Sequence, residues 1–409
     1  MATASLRVAA LLCIMLLSLL PSCALEPSVV VEEKIAGAVL GCLVADALSL
    51  GSTFEFDAAK IRAAYAREED ARRTHSGFVR GMLYHAPGAL FTGHHNFYKG
   101  RRDGDQTDNG DGNVYLLEYF SKLGLKKTLP FQVEHYVSKY WIHSYKGHGK
   151  AYDPTACRAC GAKIDAAVKT FLDNFEKGVA LAEAGAESPG HVVRFAGALA
   201  VYHGDEEVLV DIAAQTTRFT QRNADAVSAA VFWARVVHRV LDGMSPELAV
   251  HSAAAAMQND AFIAAKVKEA ASKAAEAADP DSALGKEEFP DELAITSMGR
   301  RWVPGTEPLK GGKSTAVGHS FPAALYFVLR YAADGFKHVV QANVLVGGDS
   351  SARAVPIGMV IGAYYGRSGI PGGWIQSLTA SVSVEKMLKP LMSGLAGTTV
   401  EIRHHHEEL

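Results

Sequence analysis

Residues 35–56 read IAGAVLGCLVADALSLGSTFEF, and this stretch decides the fold. Gly37, Gly41 and Ala45 recur every four positions, which lines them along one helical face where the missing side chains let another helix approach closely. Asp46 sits on this otherwise apolar helix, and a carboxylate there must be paired, hydrogen-bonded or ligated to offset its desolvation. After Gly51 the chain leaves the helix and presents Glu55 between Phe54 and Phe56. Taken alone, the stretch fits a helix-packing acid and a surface charge as well as it fits a site.

Outward from there, apolar residues recur at three- and four-residue spacings and strand-like alternation is rare. The pattern predicts helices over 32–50, 112–123, 165–184, 192–203, 225–241, 246–278, 319–331 and 351–365. The fold class is all-α, a single-domain orthogonal or irregular helix bundle. Alanine-rich runs at 253–256 and 270–278 favour helix by propensity and carry no chemistry. Residues 75–110 and 279–318 resist a helical reading, being rich in Gly with His, aromatics or Pro, and long loops of this kind border binding sites.

The bulk properties agree with one large domain. The 409 residues are 48% hydrophobic and 21% charged, and no Pro/Ser-rich linker divides them. A formal net charge of -3 gives no pull toward nucleic acid or an anionic membrane surface, which leaves small molecules or modified proteins as partners.

Arg7, the apolar run 8–20 and Ser22-Cys23-Ala24 make residues 1–24 a signal peptide, too short in its apolar core for a membrane anchor. A lipid-attached Cys23 is the rival reading. Residues 25–400 form the helical domain, and 401–409 a tail whose last four residues, His406-Glu407-Glu408-Leu409, are similar to signals that retrieve lumenal proteins to the endoplasmic reticulum. The expected location is the secretory pathway, either the lumen of that compartment or outside the cell. Cys42, Cys157 and Cys160 are too few to staple so long a chain. Cys157 and Cys160 form a C-x-x-C that fits a surface loop with or without a disulfide, or a zinc site with His143 and His148.

Two further segments carry chemistry. Residues 104–113, GDQTDNGDGN, crowd Asp105, Thr107, Asp108, Asn109 and Asp111 ahead of a helix, oxygen donors suited to Mg²⁺, Mn²⁺ or Ca²⁺ but equally to helix capping. Residues 342–366, ANVLVGGDSSARAVPIGMVIGAYYG, make a tight turn at Gly347-Gly348, open a helix at Asp349-Ser350-Ser351, and continue with Gly358, Gly362 and Ala363 for close helix crossing.

In this order the three segments resemble the ADP-ribosylglycohydrolase family. VADALSLGSTFEF is similar to its opening motif, Thr107-Asp108-Asn109 to its Thr-Asp-Asp, and Gly347-Gly348-Asp349-Ser350-Ser351-Ala352 to its late G-G-D-T-D-T. HVVRFAGALAVY at 191–202 is similar to a mid-chain helix of the family. The resemblance implies an all-α fold, two divalent ions and hydrolysis of the glycosidic bond from ADP-ribose to a protein side chain or small acceptor. Carried over by position, it makes Thr107, Asp108 and Asp349 metal ligands and Glu55 and Asp108 the catalytic acids. Substrate contacts fall to Asn109, Gly347, Gly348, Ser350, Ser351 and Arg353.

This chain departs from the pattern where charge matters. Asn109 and Ser351 stand where the family has acids, and Ala352 where it has threonine, so two of four carboxylates are missing. Two divalent cations need that charge, which lowers the expected cofactor to one ion, or to none if Arg353 pairs with Asp349 one helical turn away. The expected function is metal-assisted hydrolysis of a ribosyl bond on an ADP-ribosylated protein or an ADP-ribose-like small molecule. The alternative is a catalytically inactive relative with a ligand-binding or crystallin-like structural role.

Overall fold

Nearly every residue of the opening helix from Ile35 onward is buried, because a helix with no polar face finds no stable place at a surface. The computed structural model describes residues 27–74, 98, 101, 103–123, 131–145, 164–300, 303–304 and 312–393. Residues 1–26 and 394–409, along with His148, Cys157 and Cys160, lie outside them, and so do the signal, tail and C-x-x-C readings.

The longer helices are α1 (Pro27–Ser49), α2 (Ala58–Thr74), α3 (Asp108–Leu123), α4 (Ala166–Glu176), α5 (Ala196–Tyr202), α6 (Glu206–Arg218) and α7 (Ala224–Leu241). They continue as α8 (Pro246–Ala256), α9 (Ala261–Ala278), α10 (Pro290–Thr296), α11 (Val317–Tyr331), α12 (Phe336–Val346), α13 (Ser350–Tyr365) and α14 (Ser381–Ser393). Among the described residues β-structure is limited to three isolated bridges, and no helix is long and apolar enough to cross a membrane. The all-α expectation holds.

Several boundaries differ from the predicted ones for local reasons. The run 246–278 is two helices, because Asp260 turns its carboxylate to accept from Ile263 N at 3.1 Å and so starts α9 afresh. α3 begins at Asp108, four residues before the predicted start, so the oxygen-rich segment supplies the first turn of the helix. α6 and α12 lie in stretches for which no helix was predicted.

The core is organised around α1 and α13, which share the most extensive helix–helix contact of the described residues. Gly37 and Gly41 of α1 face Gly362 and Gly358 of α13, and a Cβ added at any of the four would collide with the opposite backbone. The two helices cross with backbone against backbone. That contact sets the end of α1 beside the start of α13, and α3 packs across both.

Candidate active site

Asp46 is the buried foundation of the site. Its two carboxylate oxygens accept from both donors of one residue, Thr107 Oγ1 at 2.6 Å and Thr107 N at 2.7 Å, which fixes the loop that leads into α3. Burial pushes its pKa up to about 8, opposed by the two Thr107 hydrogen bonds and reinforced by the charges of Asp111 and Asp108. The requirement that this acid be hydrogen-bonded or ligated is met by Thr107.

The acidic cluster expected at 104–113 is separated by its partners. Asp105 accepts from Thr379 Oγ1 at 2.8 Å, and Asp111 makes a buried ion pair with Arg101 at 2.6 Å. Asp108 faces elsewhere: its Oδ1 accepts from Tyr98 OH at 2.6 Å, and it lines a pocket with Asn109.

Asp349 reaches the same pocket from the start of α13. Its Oδ1 caps the helix by accepting from Ala352 N at 3.2 Å and also accepts from Ser351 Oγ at 3.1 Å. The Ser351 hydroxyl joins all three segments, because Thr53 Oγ1 donates to it at 3.1 Å and Asn109 Nδ2 at 3.2 Å. Stretches more than two hundred residues apart therefore meet, as the site requires.

Glu55 is held by a short antiparallel bridge to the Gly347-Gly348 turn. Phe54 N donates to Gly348 O at 2.7 Å and Gly348 N to Glu55 O at 2.6 Å. The bridge places Phe54 at φ 67°, a left-handed conformation that costs a bulky residue on the order of 1–3 kcal/mol and is typical of functional sites. Lys313 secures the loop from below, its Nζ donating to Phe56 O at 2.9 Å and pairing with Glu292 at 2.8 Å. The Glu55 carboxylate itself accepts from Asp57 N at 2.9 Å.

Of the residues expected to touch substrate, Asn109 lines the pocket, whereas Gly347, Gly348, Ser350, Ser351 and Arg353 are not among its lining residues, the last three being fully buried. Arg353 is completely buried and donates to Asn343 Oδ1 at 2.8 Å, Gly312 O at 3.0 Å and Gly347 O at 2.6 Å. The Asp349–Arg353 ion pair, the alternative to a bound ion that their spacing offered, does not form. Asp349 is the cap residue, outside helical geometry, so its side chain folds back onto the helix end instead of running along the face that Arg353 shares. Burial lowers the Arg353 pKa to about 10, with the Asp349 charge acting against that shift.

The opposite wall holds residues that sequence reasoning did not single out: His191, Arg194, Gln221, Thr315 and Asp165. Trp233 Nε1 donates to His191 Nε2 at 3.1 Å, which leaves the ring proton on Nδ1, 3.1 Å from Ser320 Oγ. Only the quoted helix at 191–202 hinted at this wall, since the other contacts join segments with no shared motif.

Burial, aided by the Arg353 charge, drops the His191 pKa to about 3. The unfolded chain takes up this proton near the ordinary value of 6.5, so stability is full above that pH and is lost as the pH falls toward 3. The loss should approach roughly 4–5 kcal/mol. Urea unfolding midpoints measured from about pH 7 to pH 4 should fall steeply in the parent protein and less so in His191→Gln; parallel curves would refute the assignment.

The fold and pocket define a helical protein whose acidic site is assembled from two helix starts and the loop after a third helix. The sequence pattern of the ADP-ribosylglycohydrolase family matches residues 27–402, and the chain belongs to that family. ADP-ribosyl-(dinitrogen reductase) glycohydrolase of Rhodospirillum rubrum is 33% identical over 79 residues, 19% of this chain and 26% of that protein, so the match spans about a quarter of the relative's length. A solved ADP-ribosylglycohydrolase-related protein complex shares the fold with a TM-score of 0.54 at 19% identity, covering 89% of this chain and 98% of its own.

Proposed function

We propose that the protein hydrolyses a glycosidic bond to ribose, in an ADP-ribosylated protein or an ADP-ribose-like small molecule, with one divalent ion held by Thr107, Asp108 and Asp349. The observation that carries this reading is that Asp108 and Asp349, far apart in the sequence, line one pocket beside the Glu55 loop.

The donor set fits one hard cation, Mg²⁺, Mn²⁺ or Ca²⁺. Two carboxylates balance its charge, and the Thr107 hydroxyl, fully buried, donates to Asp46 and accepts from Asn109 N at 3.1 Å, which leaves one lone pair for an ion. A second ion has no comparable support, because neutral Asn109 and Ser351 hydrogen-bond each other where two acids would need a cation between them. Among the described residues no three His, Cys, Asp or Glu side chains converge on one point, so neutral oxygens and water must complete the coordination. When bound, such an ion orients ribose hydroxyls and acidifies a water.

The chain's own groups do the rest. Glu55 and Asp108 are the carboxylates available to take a proton from water, and Tyr98 fixes one oxygen of Asp108 through its hydroxyl. Asp46 acts through Thr107 as a positioning residue. Residues 1–24 direct the chain into the secretory pathway on this reading, where its substrate is met in the lumen or outside the cell. The neutral Asn109–Ser351 bond is also the observation that favours an inactive scaffold.

Incubation of purified protein with ADP-ribosylated arginine and serine peptides separates the two. Release of ADP-ribose that needs Mg²⁺ and stops on chelation is expected. No release under any condition, with no metal by elemental analysis, would leave the structural role standing.

A further inference from the structure

The Gly347-Gly348 turn that leads into Asp349 is clasped from two sides. On one lies the Glu55 loop, through Phe54 N to Gly348 O and Gly348 N to Glu55 O. On the other lies Lys313, whose backbone carbonyl accepts from Asp349 N at 2.9 Å. The fit leaves no slack: a Cβ on Gly347 would stand 2.4 Å from Glu55 O, and one on Gly348 would stand 2.4 Å from Lys313 Cβ. The Lys313 side chain donates from Nζ to Phe56 O at 2.9 Å, the carbonyl next to Glu55. Lys313, Asp349, Gly348 and Glu55-Phe56 are thus joined in a closed circuit. Its other links run backbone to backbone, and Lys313 Nζ supplies the closing one.

Lys313 is 2% exposed and is not among the residues lining the pocket, so its ammonium meets no substrate. Burying that charge is costly, and for stability alone a well-packed apolar side chain would serve better. The cost is offset by Glu292 of α10, which accepts from Nζ at 2.8 Å and is itself held by Arg62 Nη1 at 2.9 Å. Arg62 lies on α2, the helix that follows the Glu55 loop, with its guanidinium 3.6 Å from the centre of the Phe289 ring. The ammonium is therefore fixed from the α10 side, and what it holds in turn is the loop that carries Glu55. Its neighbours extend the same brace, since Gly312 O accepts from Arg353 at 3.0 Å and Thr315 O from His191 N at 2.9 Å.

We infer that Lys313 is a positioning residue for the hydrolytic site: by tying Phe56 O and Asp349 N to one residue, it fixes Glu55 and Asp349 at a set separation. This rests on the ribosyl reading above, in which Glu55 takes a proton from water and Asp349 holds the ion. Lys313 neither touches substrate nor exchanges a proton in the reaction. A shift of about 1 Å between reacting groups costs on the order of 100-fold in rate, so a link remote from the chemistry can govern turnover.

Hydrogen–deuterium exchange read by mass spectrometry tests this in the full chain, in Lys313→Met and in Glu292→Gln, beside steady-state hydrolysis of an ADP-ribosylated peptide. Lys313→Met should exchange at least ~10-fold faster at residues 52–57 and 347–350 together, with α7 and α9 as protected as in the parent. Its kcat should fall ~10–100-fold while KM stays within about threefold, since the substrate contacts are untouched. Glu292→Gln keeps an acceptor for Nζ but loses the charge. It should loosen the same two stretches by a smaller factor, and it carries the test if Lys313→Met does not fold. Unchanged exchange, loosening of one stretch alone, or faster exchange spread evenly over the fold overturns the positioning role, whatever kcat does. Joint loosening with kcat at the parental value overturns it as well and leaves the ribosyl reading intact. Joint loosening with no hydrolysis by any form, the parent included, keeps the brace and defeats the ribosyl reading.

Discussion

Gly358→Leu should yield little or no folded protein. A Cβ at this position would lie 2.7 Å from Ala45 Cβ and 2.8 Å from the Gly41 carbonyl carbon, closer than real side chains come, and leucine adds three more carbons beyond it. Backbone cannot swing aside as a side chain can, so α1 and α13 must separate along the most extensive helix contact of the described fold. Overpacking ordinarily costs ~1–3 kcal/mol. Here the penalty should reach the order of the whole folding free energy, ~5–15 kcal/mol. Gly358→Ala should fall between, because its single carbon already overlaps. Soluble yield and a circular-dichroism melt provide the check, and a cooperative Gly358→Leu transition within a few degrees of the parent would show that the crossing is looser than described.

Asp349→Asn should separate folding from chemistry. The asparagine retains an oxygen to cap α13 at Ala352 N and to accept from Ser351, so the helix start should survive with a loss of about 1 kcal/mol or less. What disappears is one of the two negative charges available to a divalent ion in the pocket. Hydrolysis of an ADP-ribosylated peptide should fall by ~10²–10³ in kcat/KM, the scale of losing one well-placed electrostatic group. Asp349→Ala should match that loss and in addition melt earlier, as the cap is gone. Retention of hydrolysis within a factor of about three by Asp349→Asn would remove Asp349 from the ligand set.

The residues that were legible in the sequence are those whose requirements are local. The four-residue spacing of Gly37 and Gly41 announced a close helix approach, and Gly358 and Gly362 announced the same on α13, but nothing local says that these two faces meet each other. Asp46 on an apolar helix had to have a partner. That the partner would be both donors of Thr107 depends on how α3 crosses α1. Arg353 shows where spacing misleads: its one-turn distance from Asp349 counts only if both are helical, and the capping role takes Asp349 out of that geometry. His191 and Arg194 were marked only as part of a helix similar to one of the family, with no role attached, and Gln221 was beyond reach because no motif includes it. Arg194 and Gln221 keep polar atoms without partners among the described residues and His191 is partnered by Trp233 and Ser320, relations that appear only once the chain is folded.

The crossing of α1 and α13 also governs when the site can exist. Thr53 and Ser351 stand 298 residues apart, and every proposed ligand depends on that closure. During synthesis the apolar α1 emerges long before the surface that covers it, so a nascent chain exposes one of its greasiest segments until translation is nearly complete. Long-range closure of this kind folds slowly. A chain cut short before α13 would have neither an active centre nor a shelter for its first helix, and should be a substrate for chaperones rather than a partially working hydrolase.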